Sequence, residues 1–325
     1  MANAQRRKFE LEEASSEHND ALAALDEDLY KNHGKKCEIH MYERRYNSRG
    51  EPILLQSGSR SDLGWPMESS TEAALVLTRY YNIKKELETT QLEIKSPYIR
   101  AALKEIIRSY PGVNINSTGP ILIAGDPMCL FHYREELQGY ASNTRDKNAK
   151  EHVTFLLQYL SKVLSREISS YEELMQNEEA PPGLEFQNLW MAFKPGTLLY
   201  YEDEGIDALC RLKKMVKVKP FQQPEYWEFE SKIIGYNGTV MSFASVKNSI
   251  KKYDGYKPLV ELGVFPFSYH KNYKNLRSTI LERGRKCITF VGIHHCMYEG
   301  IARHQSSNGR GGIFSMVRPH TKFEI

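Results

Sequence analysis

A break at Pro181, Pro182 and Gly183 divides this chain into two stretches whose hydrophobic patterns have different periods. Before the break the strongest signal is helical. Val153, Leu156, Leu157, Leu160, Val163 and Leu164 recur at three- and four-residue spacing and predict a helix over Ala149–Leu164. After it, short apolar runs alternate with polar residues and are cut by turn signals. These runs predict strands at Thr197–Tyr201, Ala208–Lys219, Tyr226–Ile234, Val240–Ser245 and Leu259–Phe265. A helical stretch followed by a strand-rich one points to α+β, with a helical N-terminal half packed on a small antiparallel β-barrel or curled sheet.

Local signals refine each half. Ser96 followed by Pro97 supplies a helix N-cap and a first-turn proline. Ile99, Leu103, Ile106 and Ile107 then form one stripe that Pro111 and Gly112 close off. Asp126 and Pro127 repeat that start, with Leu130, Tyr133, Leu137 and Tyr140 on one face. Cys37, Ile39 and Met41 alternate with polar neighbours as a strand does, and Ala74–Tyr81 reads as a second strand. Gly58–Ser70 reads as a loop. Asn237 and Gly238 are a hairpin turn, because both central positions of such a turn need positive φ. A last helix is expected over Tyr273–Arg283, ending at Gly284, with a strand at Lys286–Ile293.

The division that follows has four parts. Residues 1–35 are an acidic tail carrying Glu10, Glu12, Glu13, Glu17, Asp20, Asp26, Glu27 and Asp28, too poor in large apolar groups to offset the entropy of ordering. Residues 36–183 form the helix-rich part, 184–302 the strand-rich part, and 303–325 a flexible, glycine-containing end. The two folded parts meet at a junction of Trp190, Phe193, Pro195 and Gly196. Trp190 and Phe193 lie three apart and share a helix face, so they are expected to fill the seam. Pro195 and Gly196 then turn the chain into the first strand of the second half.

Charge and composition narrow the chemistry. The 44 basic and 41 acidic residues leave a net charge of +3, so no global field draws nucleic acid or anionic lipid to this chain. No apolar run reaches the roughly 18–20 residues of a membrane span. Cys37, Cys129, Cys210, Cys287 and Cys296 are scattered and odd in number, which fits a reducing compartment, cytoplasm or nucleus, better than a disulfide framework.

Four searches for chemistry end differently. No segment has the Gly-x-x-x-x-Gly-Lys-Ser/Thr pattern that cradles nucleotide phosphates; Gly119 and Gly125 are followed by Asp126 and Pro127, a carboxylate where a cation is needed. Cys287, His294, His295, Cys296 and His304 have zinc-ligand chemistry but not its spacing. No Gly-x-Ser-x-Gly elbow occurs, and the pairs Glu135–Glu136 and Glu172–Glu173 read as solvated helix faces. No cofactor is therefore expected. The fourth search finds Arg211, Lys213, Lys214, Lys217 and Lys219 on one predicted strand, next to Phe221, Tyr226 and Trp227. That is either a binding surface for nucleic acid or phosphate, or an edge strand guarded by lysine.

Several strings carry more than periodicity. Leu92-Glu-Ile-Lys-Ser-Pro-Tyr-Ile99 and Ala102-Leu-Lys-Glu-Ile-Ile-Arg-Ser-Tyr-Pro-Gly-Val113 come first. Leu130-Phe-His-Tyr-Arg-Glu-Glu-Leu137, Glu151-His-Val-Thr-Phe-Leu-Leu157 and Leu189-Trp-Met-Ala-Phe-Lys-Pro-Gly196 follow. Tyr236-Asn-Gly238, Val264-Phe-Pro-Phe-Ser-Tyr-His270, Leu281-Glu-Arg-Gly-Arg-Lys286 and Tyr298-Glu-Gly300 complete the series. In this order they resemble a fungal domain of unknown function that precedes the ATPase module in AAA+ proteins. The resemblance spans residues 36–302 and implies a non-catalytic domain that recognises a substrate, an adaptor or the ATPase module itself. Arg303–Ile325 does not resemble the continuation into that module. The expectation is therefore an excised N-terminal region or a stand-alone paralogue, with no catalytic residue carried over. Protein partners are the expected ligands, and nucleic acid is the alternative.

Overall fold

The computed structural model describes residues 33–57, 71–177, 180–203, 205–236 and 240–289, and the backbone of four short C-terminal strands. Within the first half, five strands form a mixed sheet: β1 (Lys36–Tyr46), β2 (Pro52–Gln56), β3 (Ala73–Tyr81), β4 (Leu87–Ile94) and β5 (Ile121–Ala124). Their order is β2-β1-β3-β4-β5, with β1 and β3 parallel and the other pairs antiparallel. The start of β3 is buried on both faces, from Ala73 to Val76, as a central strand must be. The helices expected in this half are present, but they accompany a five-stranded sheet of which the sequence pointed only to β1 and β3, so the half is mixed and not purely helical. Gly58–Ser70 lies outside the described residues.

Helices cover this sheet. In α1 (Pro97–Ile106), Ser96 Oγ accepts the amide N–H of Ile99 at 3.2 Å, and Ile99, Ala102 and Leu103 are buried. The helix expected after Asp126 and Pro127 is broken into α2 (Met128–His132) and α3 (Arg134–Asn143). At the break the Arg134 guanidinium donates to the Phe131 carbonyl at 3.0 Å and lies 4.1 Å over the Phe131 ring. Next comes α4 (Lys147–Val163), capped by Asp146, whose carboxylate accepts the N–H groups of Asn148 and Ala149. Of the predicted stripe, Val153, Leu156, Leu160 and Leu164 are buried in the core and Leu157 packs against it, whereas Val163 is exposed. A further helix, α5 (Ser165–Gln176), follows α4 directly. Among the described residues no helix is long and apolar enough to cross a membrane.

The second half opens with the short strand β6 (Gly183–Glu185). Longer strands follow: β7 (Leu198–Asp203), β8 (Ile206–Val218), β9 (Tyr226–Tyr236) and β10 (Met241–Lys251). Two short ones, β11 (Tyr256–Pro258) and β12 (Val264–Pro266), come last. Five of these form a sheet of order β10-β9-β8-β7-β12 with every pair antiparallel, while β6 and β11 pair separately. The edges of the larger sheet, β10 and β12, approach within 8 Å between Cα atoms but are not hydrogen-bonded. The sheet is thus curled and open rather than a closed barrel. Of the strand expected at Leu259–Phe265, Val264 and Phe265 belong to β12, whereas Leu259–Glu261 is a 3₁₀ turn. Asn237 and Gly238 lie outside the described residues.

The last helix, α6 (Tyr273–Thr289), runs through Gly284 and replaces the beginning of the strand expected at Lys286–Ile293. Glycine stops a helix where it adopts positive φ, and Gly284 does not. In the segment read as a flexible end, Ala302–Asn308 pairs antiparallel with Gly312–Arg318, and Met297–Tyr298 with Phe323–Glu324.

One hydrophobic core runs through both halves, from Leu75 and Ile94 to Phe229 and Phe265. Its middle is the 3₁₀ helix Phe186–Ala192, where residues three apart eclipse. Trp190 meets the Phe131 ring edge-on at 5.1 Å, and Phe193 packs on Phe229 of β9 at 4.7 Å. Gly196 then takes φ +93°, a conformation a side chain resists, and its N–H donates to the Leu212 carbonyl of β8. Trp190→Ala removes a buried ring from both halves at once and should cost about 3–5 kcal/mol. Thermal melts should show a fall of at least about 6 °C; an unchanged midpoint would mean that Trp190 does not hold the seam.

Candidate functional site: a basic groove beside the junction

Among the described residues, several side chains of catalytic type are buried in the core. Ser96 Oγ and His152 Nδ1 are 2.9 Å apart, a serine–histidine pair by distance, but Ser96 is fully buried and already caps α1. Burial holds the His152 pKa below its ordinary value. Cys129 is buried, and its thiol is pushed up to about 12, far from the thiolate a nucleophile needs. Burial also raises the Cys210 thiol.

His132 links the halves through hydrogen bonds. Its Nε2–H donates to the Trp190 carbonyl at 2.8 Å, which leaves Nδ1 to accept the Tyr110 hydroxyl at 2.9 Å. Burial lowers its pKa to about 4, so the ring is neutral at pH 7. Tyr110 is half-buried, and burial raises its pKa strongly.

Two concavities flank Tyr110 and Pro111. The first, about 700 Å³, includes Asp126, Glu167 and Lys217 in its lining and has the Trp190 and Trp227 rings in its wall. The second, about 640 Å³, has a floor that includes Ile106, Tyr133, Pro195 and Leu212, and carries Arg108, Arg211, Lys213, Lys214 and Lys232 with no lining carboxylate. A third depression, about 890 Å³ between α3, α4 and α5, mixes both signs of charge. The second is the candidate site.

Strand β8 builds it through an irregularity. Between Leu212 and Lys214 the register with β9 slips by one residue, leaving Lys213 as the extra position. In regular alternation Lys213 and Lys214 would point to opposite faces. Here both reach Glu230, Lys214 at 3.1 Å. Those two lysines hold the Glu230 carboxyl down at about 2. Arg211 is fixed by donating to the Gly196 carbonyl at 2.8 Å.

The five cations predicted on one strand thus part company. Arg211, Lys213 and Lys214 line the groove. Lys217 lies in the other concavity, 3.3 Å from Glu225 and 5.8 Å over the Trp227 ring, and Lys219 lines neither. Sequence reasoning missed Arg108 and Lys232. Arg108 sits just beyond α1, which ends at Ile106 and so short of the stop expected at Pro111 and Gly112, and Lys232 becomes a neighbour only through its pairing with Arg211. Of the zinc-type residues, Cys287 is exposed on α6; His294, His295 and Cys296 lie outside the described residues.

Comparison with known families finds a model described as Domain of unknown function (DUF7025) over residues 175–271. That span holds the Trp190 junction and the whole of the curled sheet. No curated protein and no solved structure matches the chain.

The neutral His132 gives a prediction with a definite sign. Below about pH 6.5 the unfolded chain protonates this side chain, whereas the folded chain does so only near pH 4. Unfolding therefore takes up a proton in that window, and stability falls as pH drops through it, by up to about 3 kcal/mol. Denaturant melts at a series of pH values should show the stability gap between wild type and His132→Gln shrinking toward acid. A constant gap would mean that His132 is not held neutral.

Proposed function

We propose that this chain is a non-catalytic recognition domain, of the kind that precedes the motor in AAA+ ATPases, and that it binds a protein partner through the basic groove. The observation that carries this reading is a contrast. The groove is open and lined by cations, whereas Ser96, His132 and His152 are buried with their polar atoms tied into the fold. These three side chains are committed to holding the core, and the accessible cations are arranged around an apolar floor. That pairing of a charged rim with apolar ground suits a peptide segment. The ordered strings from Leu92 to Gly300 support the AAA+ context by resemblance.

A second reading, a site for nucleic acid or phosphate, is favoured by the groove's cations alone. Against it, Glu230 offsets two of them, and Glu225 and Glu228 pair with Lys217 and Lys247 elsewhere on the sheet. The proposal predicts no specific binding of MgATP by the purified chain. Isothermal titration calorimetry checks this, and a stoichiometric micromolar site would overturn it.

A further inference from the structure

Glu230 offsets Lys213 and Lys214, which leaves Arg108, Arg211 and Lys232 as the groove's cationic rim, and the chain itself contains a segment rich in carboxylates. Residues 9–28 hold eight carboxylates and no lysine or arginine. Leu22 and Leu25 punctuate the acidic run three residues apart, a spacing that would share one face of a helix. A segment of this kind matches a cationic rim around an apolar floor.

Reach is satisfied as well. The segment enters the described fold at His33 and Gly34, and Gly34 lies against the backbone of Lys95 and Ser96, where an added Cβ would come within 2.4 Å. Ser96 begins α1, and Arg108 lies just past its other end. The ten residues of that helix span about 15 Å. About five extended residues cover that distance, so Asp28 and everything before it can reach the groove. Arg108, the cation nearest that route, has no ion-pair partner among the described residues, and Lys232 lies 5.7 Å over the Phe243 ring.

We infer that residues 9–28 dock in the Arg108–Arg211–Lys232 groove of their own chain and compete there with acidic segments of partners. This rests on the reading of the groove as a protein-binding site and adds the chemistry of its ligand and a means of regulation. A tethered segment acts at an effective concentration on the order of millimolar. It therefore blocks weak partners while yielding to strong ones.

The test uses the full chain with all eight carboxylates of residues 9–28 changed to amides, Glu→Gln and Asp→Asn. The probe is a fluorescent peptide of wild-type residues 9–28, followed by anisotropy. The amide variant should bind it about tenfold more tightly than wild type, because the tethered competitor is gone. The gain should weaken with added salt. It should vanish when Arg108→Glu and Lys232→Glu are added; both side chains are exposed, and melting curves check that this variant folds.

Equal peptide binding to wild type and amide variant would overturn the inference, as would a gain that survives the charge reversals. A single-stranded oligothymidylate run in parallel tests the other class. Tighter binding of that probe than of the peptide, dependent on Arg108 and Lys232, would make the groove a nucleic-acid site and overturn both the inference and the peptide reading. A wild-type dimer that dissociates in the amide variant would place the segment in a second copy, which overturns docking within one chain but leaves partner binding standing. Micromolar MgATP binding would sink the recognition reading without changing the peptide titration.

Discussion

The contact of Trp190 with Phe131 and His132 is the constraint on which the rest of the structure depends. Trp190 stands in a short 3₁₀ connection between two sheets that share no strand. Its ring is pressed against α2, which belongs to the first half, and its carbonyl accepts the His132 imidazole N–H. Three residues on, Phe193 packs against β9 of the second half. Phe193 is the residue at which the 3₁₀ helix ends, and its backbone (φ −108°, ψ 68°) turns its ring away from Phe131 and toward β9, so this short segment presents anchors to both sides. A buried imidazole with both nitrogens partnered costs little to keep neutral, whereas one left unpartnered would cost about 1–3 kcal/mol.

Much of this was legible in the sequence, for particular reasons. Ser96 with Pro97, the apolar stripe of α4 and the alternation in β8 and β9 each rest on residues a few positions apart, which a local pattern records. The strands at Pro52–Gln56, Leu87–Ile94 and Ile121–Ala124 left no such record. Leu87–Ile94 contains Glu88, Thr89, Thr90 and Gln91, whose polarity masks the apolar face that Leu92 and Ile94 bury. Ile121–Ala124 is only four residues long, too short to establish a period. Leu87–Ile94 becomes a strand because β3 offers it a buried partner, and it in turn pairs with Ile121–Ala124. That is a tertiary effect that no window along the chain contains.

The candidate site was partly legible for a similar reason. A run of cations on β8 is visible in the sequence, but its sorting is not. The slipped register at Lys213 decides that Lys213 and Lys214 join Arg211, and the half-buried position of Lys217 beside Trp227 removes it to the other concavity. Arg108 enters the groove from 103 positions upstream of Arg211, brought by the way α1 ends.

Groove and junction are mechanically one object. Tyr110 forms the wall between the two concavities and, through its hydroxyl, is held by His132, which is in turn held by Trp190. Pro195 and Gly196 form part of the groove's lining and are the turn by which the Trp190 segment enters β7. The Gly196 carbonyl fixes the Arg211 guanidinium, and the Gly196 N–H is tied to Leu212. Arg211, Lys213 and Lys214 are therefore presented by backbone ordered by core packing and are themselves held by partners, whereas the exposed Arg108 side chain would have to be ordered by whatever binds there. Binding strength at such a site depends on how little must be ordered as much as on how many charges are present. A cavity opened at Trp190 would loosen Tyr110 and the Pro195–Gly196 turn together, and the groove would lose its shape before it lost its charge.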